Sequence, residues 1–147
     1  MRLISHRGNL TGPRSNLENQ PSYVSNAIVQ GFDVEIDFWF DSNRLYLGHD
    51  SPIYEIKDSF LDAYSDNLWI HCKNLKALEY LHDSNFNYFW QQQDDFSLTS
   101  QGYIWTYPEK QVVSQSVIVC LNKKNTKKII EEKVAYGICS DYVGVYY

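Results

Sequence analysis

Two hydrophobic periods alternate along the chain, and the points where one gives way to the other divide it into elements. Residues 2–6 read as a short strand, and residues 8–15, rich in Gly, Pro, Asn and Ser, as a loop. Over residues 20–30 the period becomes helical: Val24, Ala27, Ile28 and Gly31 fall on one face. Asn19 is placed there as N-cap, Pro21 in the first turn and Gly31 as the stop. Residues 33–40 return to strict alternation, and Asp41-Ser42-Asn43 predicts a turn into a second short strand over 45–47. Further strands are expected over 68–73, 87–91, 103–106, 117–121 and 137–140, with helices over 75–82 and 126–134. The order β-α-β-β-α-β-α-β-β-β-α-β is an α/β pattern with mainly parallel strands. No repeat, low-complexity stretch or linker interrupts residues 1–147, which read as one domain.

The alternation also says where polar groups point. Val34, Ile36, Phe38 and Phe40 share one side of their strand, and Glu35, Asp37 and Trp39 the other. In the next parallel strand Leu68, Ile70 and Cys72 oppose Trp69, His71 and Lys73. A sheet with helices on its apolar side then has a polar inner face. Two carboxylates about 7 Å apart in Cα position need compensation there, which a divalent cation supplies. Taken alone, the pair fits an exposed sheet face equally well. His6 at the end of the first strand and His49 after the return strand change that balance, because two histidines near a carboxylate pair suit general acid-base chemistry.

Composition narrows the classes. The 147 residues are 44% hydrophobic, enough for a core. With 13 basic against 18 acidic side chains, the balance argues against nucleic acid. The one basic run, 123–128, reads as a solvated helix face with Lys127–Glu131 and Lys128–Glu132 pairs. Cys72, Cys120 and Cys139 are odd in number and lie in apolar runs, as reduced core residues do. No apolar run reaches about 18 residues, and a strand beginning near Met1 leaves no room for a signal peptide, so a cytoplasmic protein without a membrane span is expected. The aromatic tail 142–147 is expected to cover a gap in the fold or to form a homodimer contact.

His6-Arg7-Gly8, Glu18-Asn19, Ala27, Gly31, Asp33, Glu35-Ile36-Asp37 and His49-Asp50 together resemble, in order and spacing, the N-terminal signature of the glycerophosphodiester phosphodiesterases, within the superfamily of phosphatidylinositol-phospholipase-C-like barrels. Residues 70–73 and 137–142 extend the resemblance more weakly, and residues 86–134 do not share it. The resemblance implies a metal-dependent hydrolase of a small phosphodiester. His6 and His49 would be the acid-base pair, and Arg7 and Lys73 the phosphate contacts. Glu35 and Asp37 would be metal ligands, and Glu18 a ligand or an orienting group. Where the family places a third acidic ligand, this chain has His71. The expected ion is Mg²⁺ or Ca²⁺, with the imidazole shifting preference toward softer ions. The same substitution supports an alternative, a phospho-ligand or sugar-phosphate binding module without turnover.

A complete (β/α)₈ barrel takes roughly 250 residues. The expectation for 147 residues is therefore a minimal or incomplete TIM-like (β/α) barrel of about seven strands, with helices missing from its second half.

Overall fold

Ten strands and four helices order the chain. The computed structural model describes residues 1–147. In chain order the elements are β1 (Arg2–His6), α1 (Pro21–Val29), β2 (Asp33–Asp41), β3 (Arg44–Leu47), β4 (Tyr54–Ile56), α2 (Asp58–Ala63) and β5 (Leu68–Cys72). Then follow α3 (Leu75–Leu81), β6 (Tyr88–Phe89), β7 (Phe96–Leu98), β8 (Ile104–Thr106), β9 (Ser116–Val119), α4 (Lys123–Glu132) and β10 (Gly137–Ser140). Asn74 and Asn122 cap α3 and α4 by accepting from the N–H groups of Ala77 and Asn125.

All strands belong to one sheet. A parallel run passes through β8, β9, β10, β1, β2, β5 and β6 in spatial order. Antiparallel strands extend it: β3 pairs with the far end of β2, β4 with β3, and β7 with β8. The sheet curls far enough for the Ser100 N–H, beyond β7, to donate to the Tyr88 carbonyl on β6 at 2.8 Å.

This corrects the expected architecture. The chain is not a TIM-like α/β barrel with alternating helices but a mixed ten-stranded sheet curled into a half-barrel, with four short helices. Strands β4 and β7 were not expected. The reason is local: β7 and β8 are joined by a turn in which Thr99 N–H donates to the Tyr103 carbonyl at 2.8 Å. So short a connection admits only an antiparallel partner and leaves no length for a crossover helix. Likewise β3 folds straight back on β2 through Ser42 and Asn43, both left-handed, with φ of 49° and 59°.

The sheet has two apolar sides. Outside, Val34, Ile36 and Phe38 of β2 and Ile70 of β5 pack with Val24 and Ala27 of α1. Inside the curl, Ile4, Trp69, Phe89, Trp105, Val117 and Cys139 form a plug. A third cluster, Phe32, Ile118, Ile138 and Val143, lies beneath α4 and the tail. The tail covers this part of the sheet: the Tyr147 ring meets Phe32 edge-on at 4.9 Å, and Gly144 N–H donates to the Leu10 carbonyl. The three cysteines are free and buried, and Lys127–Glu131 and Lys128–Glu132 pair along α4 at 3.8 Å each. No helix is long and apolar enough to cross a membrane.

Candidate functional site

Parallel register assembles the site above the apolar plug. Inward alternation on β2 buries Glu35 and Asp37 almost completely, at 2% and 0% exposure. On β5, His71 lies opposite Asp37, and on β1, His6 lies opposite Glu35. The His71 ring stacks flat on Phe89 at 5.1 Å, and its Nε2 is 2.8 Å from the Gln91 carbonyl, to which it donates. That bond turns Nδ1 toward the carboxylates, 3.3 Å from Asp37 Oδ1 and 3.6 Å from Glu35 Oε1. His6 is held from the other side. Its Nδ1–H donates to Asp141 Oδ1 at 2.8 Å, leaving Nε2 4.0 Å from Glu35 Oε2.

The loop after β1 wraps this centre with strained backbone. Arg7 is left-handed, with φ of 55°, and donates its N–H to the Glu35 carbonyl at 2.9 Å. Its guanidinium Nε lies 2.8 Å from Asp37 Oδ2, too poorly aligned for a hydrogen bond, and Nη1 donates to Glu18 Oε2 at 3.2 Å. Gly8 permits the close pass over α1, since a Cβ there would come within 2.6 Å of the Tyr23 ring at a φ of +95°. Asn19 does not cap α1, whose N-cap is Gln20 with no side-chain bond. Instead its side chain clasps Asp37: Nδ2 donates to Oδ2 and Oδ1 accepts from the Asp37 N–H, both at 2.9 Å.

His49 reaches the site from a separately braced loop. Gly48 N–H donates to the Asp37 carbonyl at 3.1 Å, and the Trp39 indole donates to the Gly48 carbonyl at 2.6 Å. The His49 ring is 45% exposed, with Nδ1 2.7 Å from Asp50 Oδ1. It shares a cavity of about 390 Å³ with His6, Arg7, Glu35, His71 and Lys73, and Trp105 forms part of the wall.

Charge governs the chemistry available. Glu18, Glu35, Asp37 and Asp141 bring four carboxylates to this end of the sheet against the two permanent cations, Arg7 and Lys73, the latter 3.5 Å from Asp37. Two further positive charges balance the set, and the two inner histidines can carry them. Burial opposes charge on His71, but its contacts with Asp37 and Glu35 outweigh burial and hold the ring at about 9. Burial likewise opposes charge on His6, and the hydrogen bond to Asp141 with the Glu35 charge raises its pKa above the ordinary value. Asp37 is pulled well below the usual carboxylate range despite burial, by His71, Arg7 and Lys73.

A divalent cation can fill the same deficit. Ligand atoms of Glu35, Asp37 and His71 all lie within 4.8 Å of one another. Glu35 Oε2 and Asp37 Oδ1 are buried without a hydrogen-bond partner, so the donor set fits a metal and has acceptor oxygens to spare. Glu18 stands outside this group, its oxygens taken by Arg7 and Asn9. Sequence reasoning overlooked Asn9 and Asp141, which tie the loop to β10: Asn9 Nδ2 donates to Asp141 Oδ1 at 2.8 Å. The signal for Asp141 was its place one residue beyond a parallel strand end, where Lys73 also lies and beside which His6 closes β1. Comparison with protein-family models, with characterised proteins and with solved structures finds no match for this chain.

Proposed function

We propose that this protein is a metal-dependent phosphodiester hydrolase acting on a glycerophosphodiester or a related small phosphodiester. The observation that carries the reading is that Glu35, Asp37 and His71 converge within 4.8 Å, with Glu35 and His71 on the wall of a cavity that His6, His49, Arg7 and Lys73 also line. Resemblance of residues 4–50 to the glycerophosphodiester phosphodiesterases points the same way.

A phosphodiester resists attack because its charge repels nucleophiles and its alkoxide leaves poorly. Arg7 and Lys73 meet the first obstacle by placing fixed positive charge at the cavity wall, in a setting with little water. A divalent ion held by Glu35, Asp37 and the neutral Nδ1 of His71 would add Lewis-acid stabilisation of charge on the phosphoryl oxygens. His6 meets the second obstacle: fixed by Asp141 and biased toward its protonated form, it donates a proton to the departing oxygen. His49, at the exposed rim with Nε2 free, takes the proton of the attacking hydroxyl or water. Each transfer contributes roughly 10²- to 10⁴-fold.

The test is hydrolysis of bis(p-nitrophenyl) phosphate and of glycerophosphocholine by the purified chain with Mg²⁺, Ca²⁺, Mn²⁺ or Zn²⁺. The expected outcome is turnover with a bell-shaped pH profile, lost in His6→Ala and in His49→Ala. Turnover that survives both substitutions sinks the assignment. Saturable binding of glycerol phosphate without turnover under any metal establishes the alternative, a phospho-ligand binding module. Its support is His71, whose imidazolium can take the place of the metal's charge.

A further inference from the structure

His71 poses a problem of orientation that a carboxylate at its position would not. Both oxygens of a carboxylate can ligate, whereas an imidazole presents a ring nitrogen in one orientation and a C–H after a half-turn about Cβ–Cγ, a torsion with a broad two-fold preference. Flat stacking on Phe89, with 8° between the planes, fixes the plane of the ring but is blind to that half-turn. Two polar contacts tell the states apart: the carboxylates at Nδ1, and the Gln91 carbonyl 2.8 Å from Nε2.

The carboxylates hold the ring only while Nδ1 carries a proton. A bare lone pair on Nδ1 is repelled by Glu35 and Asp37, so they cease to favour the orientation in which Nδ1 is free to ligate. The Gln91 carbonyl favours it throughout, because it accepts from Nε2–H and repels a lone pair placed there.

That carbonyl is not held by the sheet. Strand β6 ends at Phe89 and β7 begins at Phe96, and between them the backbone groups of residues 90–94 make no hydrogen bond to any other backbone group. The span is anchored at its far end, where the Asp95 carbonyl accepts from the Tyr107 N–H at 2.9 Å and the Asp95 carboxylate meets Lys110 Nζ at 2.9 Å. Inside the span there is one brace: Gln91 Nε2 donates to the Asp94 carbonyl at 2.9 Å. One residue therefore both offers its carbonyl to His71 and ties the loop with its side chain.

We infer that Gln91 is a positioning residue for His71: its side chain closes the 91–94 turn, so that its own carbonyl holds Nε2 and keeps Nδ1 directed at Glu35 and Asp37. The inference rests on the metal reading of that group. Gln91 acts in it through the ring, as the outer hydrogen-bond partners of ligating histidines do.

The experiment compares the intact protein with Gln91→Ala by two readouts. In the metal-free protein near neutral pH, a proton–nitrogen correlation spectrum of the histidine rings should show a His71 Nε2–H protected from exchange with water in the parent and lost to exchange in the variant. Isothermal titration with Zn²⁺ should show affinity about tenfold lower in the variant. The His71→Asp background separates positioning from simple loop stability: a carboxylate has no N–H to give the Gln91 carbonyl, so Gln91→Ala should leave Zn²⁺ affinity unchanged there. A parent whose His71 Nε2–H exchanges freely overturns the inference, as does a Gln91→Ala protein with the parental ring signal or parental Zn²⁺ affinity. An equal loss of affinity in the His71→Asp background also overturns it. A ring signal lost in Gln91→Ala while the parent binds no Zn²⁺ upholds the orientation and overturns the metal reading alone.

Discussion

His71 makes the fold of the metal-free protein sensitive to alkaline pH, with a predictable sign and size. Its ring titrates near 6.5 in an unfolded chain and near 9 in the folded one. The folded state therefore binds the proton more tightly. The stabilisation is fully present below pH 6.5 and is lost as pH rises through 9. It amounts to about 2.5 kcal/mol at pH 7 and about 0.5 kcal/mol at pH 9. The depressed Asp37 reflects the same contact, 3.3 Å from Nδ1, so the coupling is counted once. The perturbation is His71→Gln, which keeps a donor near the Gln91 carbonyl and removes the titration. Denaturant unfolding with a chelator present, between pH 6.5 and 9.5, should show parent and variant converging by about 3 kcal/mol. Tyrosines, lysines and the buried thiols titrate alike in both proteins and cancel in the difference. A stability difference that stays constant across that range would falsify the proposed contact between His71 and the two carboxylates.

Three further outcomes follow from the geometry. Binding of Zn²⁺ or Mn²⁺ at pH 7 should release about one proton, read from titration heats in buffers of different ionisation enthalpy. The release should vanish in His71→Gln, and metal uptake without it in the parent would mean that Nδ1 is not a ligand. Gly48→Ala places a Cβ 2.1 Å from the Ser51 carbonyl at a φ of +155°; the His49 loop must shift, and activity should fall at least about tenfold with the circular dichroism unchanged. Full activity in that variant would remove His49 from the reaction. Asn19→Ala loses both bonds to Asp37 and puts alanine at a φ of 62°, a cost of about 2–4 kcal/mol. Asn19→Gly, which relieves only the backbone part, should recover a fraction of it, and two variants of parental stability would refute the clasp.

The inner site was legible to the extent that it depends on period two. Alternation alone puts Glu35, Asp37, His71 and Lys73 on one face, and the parallel register delivers them to one end of the sheet. What the pattern concealed is decided by partners distant in sequence. Asp141 reaches His6 only because β10 pairs with β1, a contact across 135 positions. Asn19 stands just before Pro21, where local logic makes it an N-cap, yet a cap offers it one backbone N–H and Asp37 offers two buried bonds; the tertiary contact prevails. The helix-strand alternation failed for the converse reason. Between residues 82 and 122 the strands are two to four residues long; β7 folds straight back antiparallel on β8, and β9 follows β8 in parallel through a connection that carries no helix.

The substitution at His71 shows the same division between residue type and setting. From sequence, an imidazole in place of a carboxylate shifts the preference among ions and supports the alternative of binding without turnover. In the fold its Nε2 is committed to the Gln91 carbonyl, so Nδ1 is the single atom left to face Glu35 and Asp37. A proton and a metal must then compete for one lone pair. A carboxylate in that position would already be deprotonated at neutral pH and would ligate a metal without that competition, at the cost of a third negative charge, whereas His71 would have to give up a proton held at about 9 before a metal could bind through Nδ1. If the proposed metal site is right, metal affinity should therefore rise with pH through the physiological range, and in the metal-free protein the protonated ring is the internal counter-ion of two buried carboxylates.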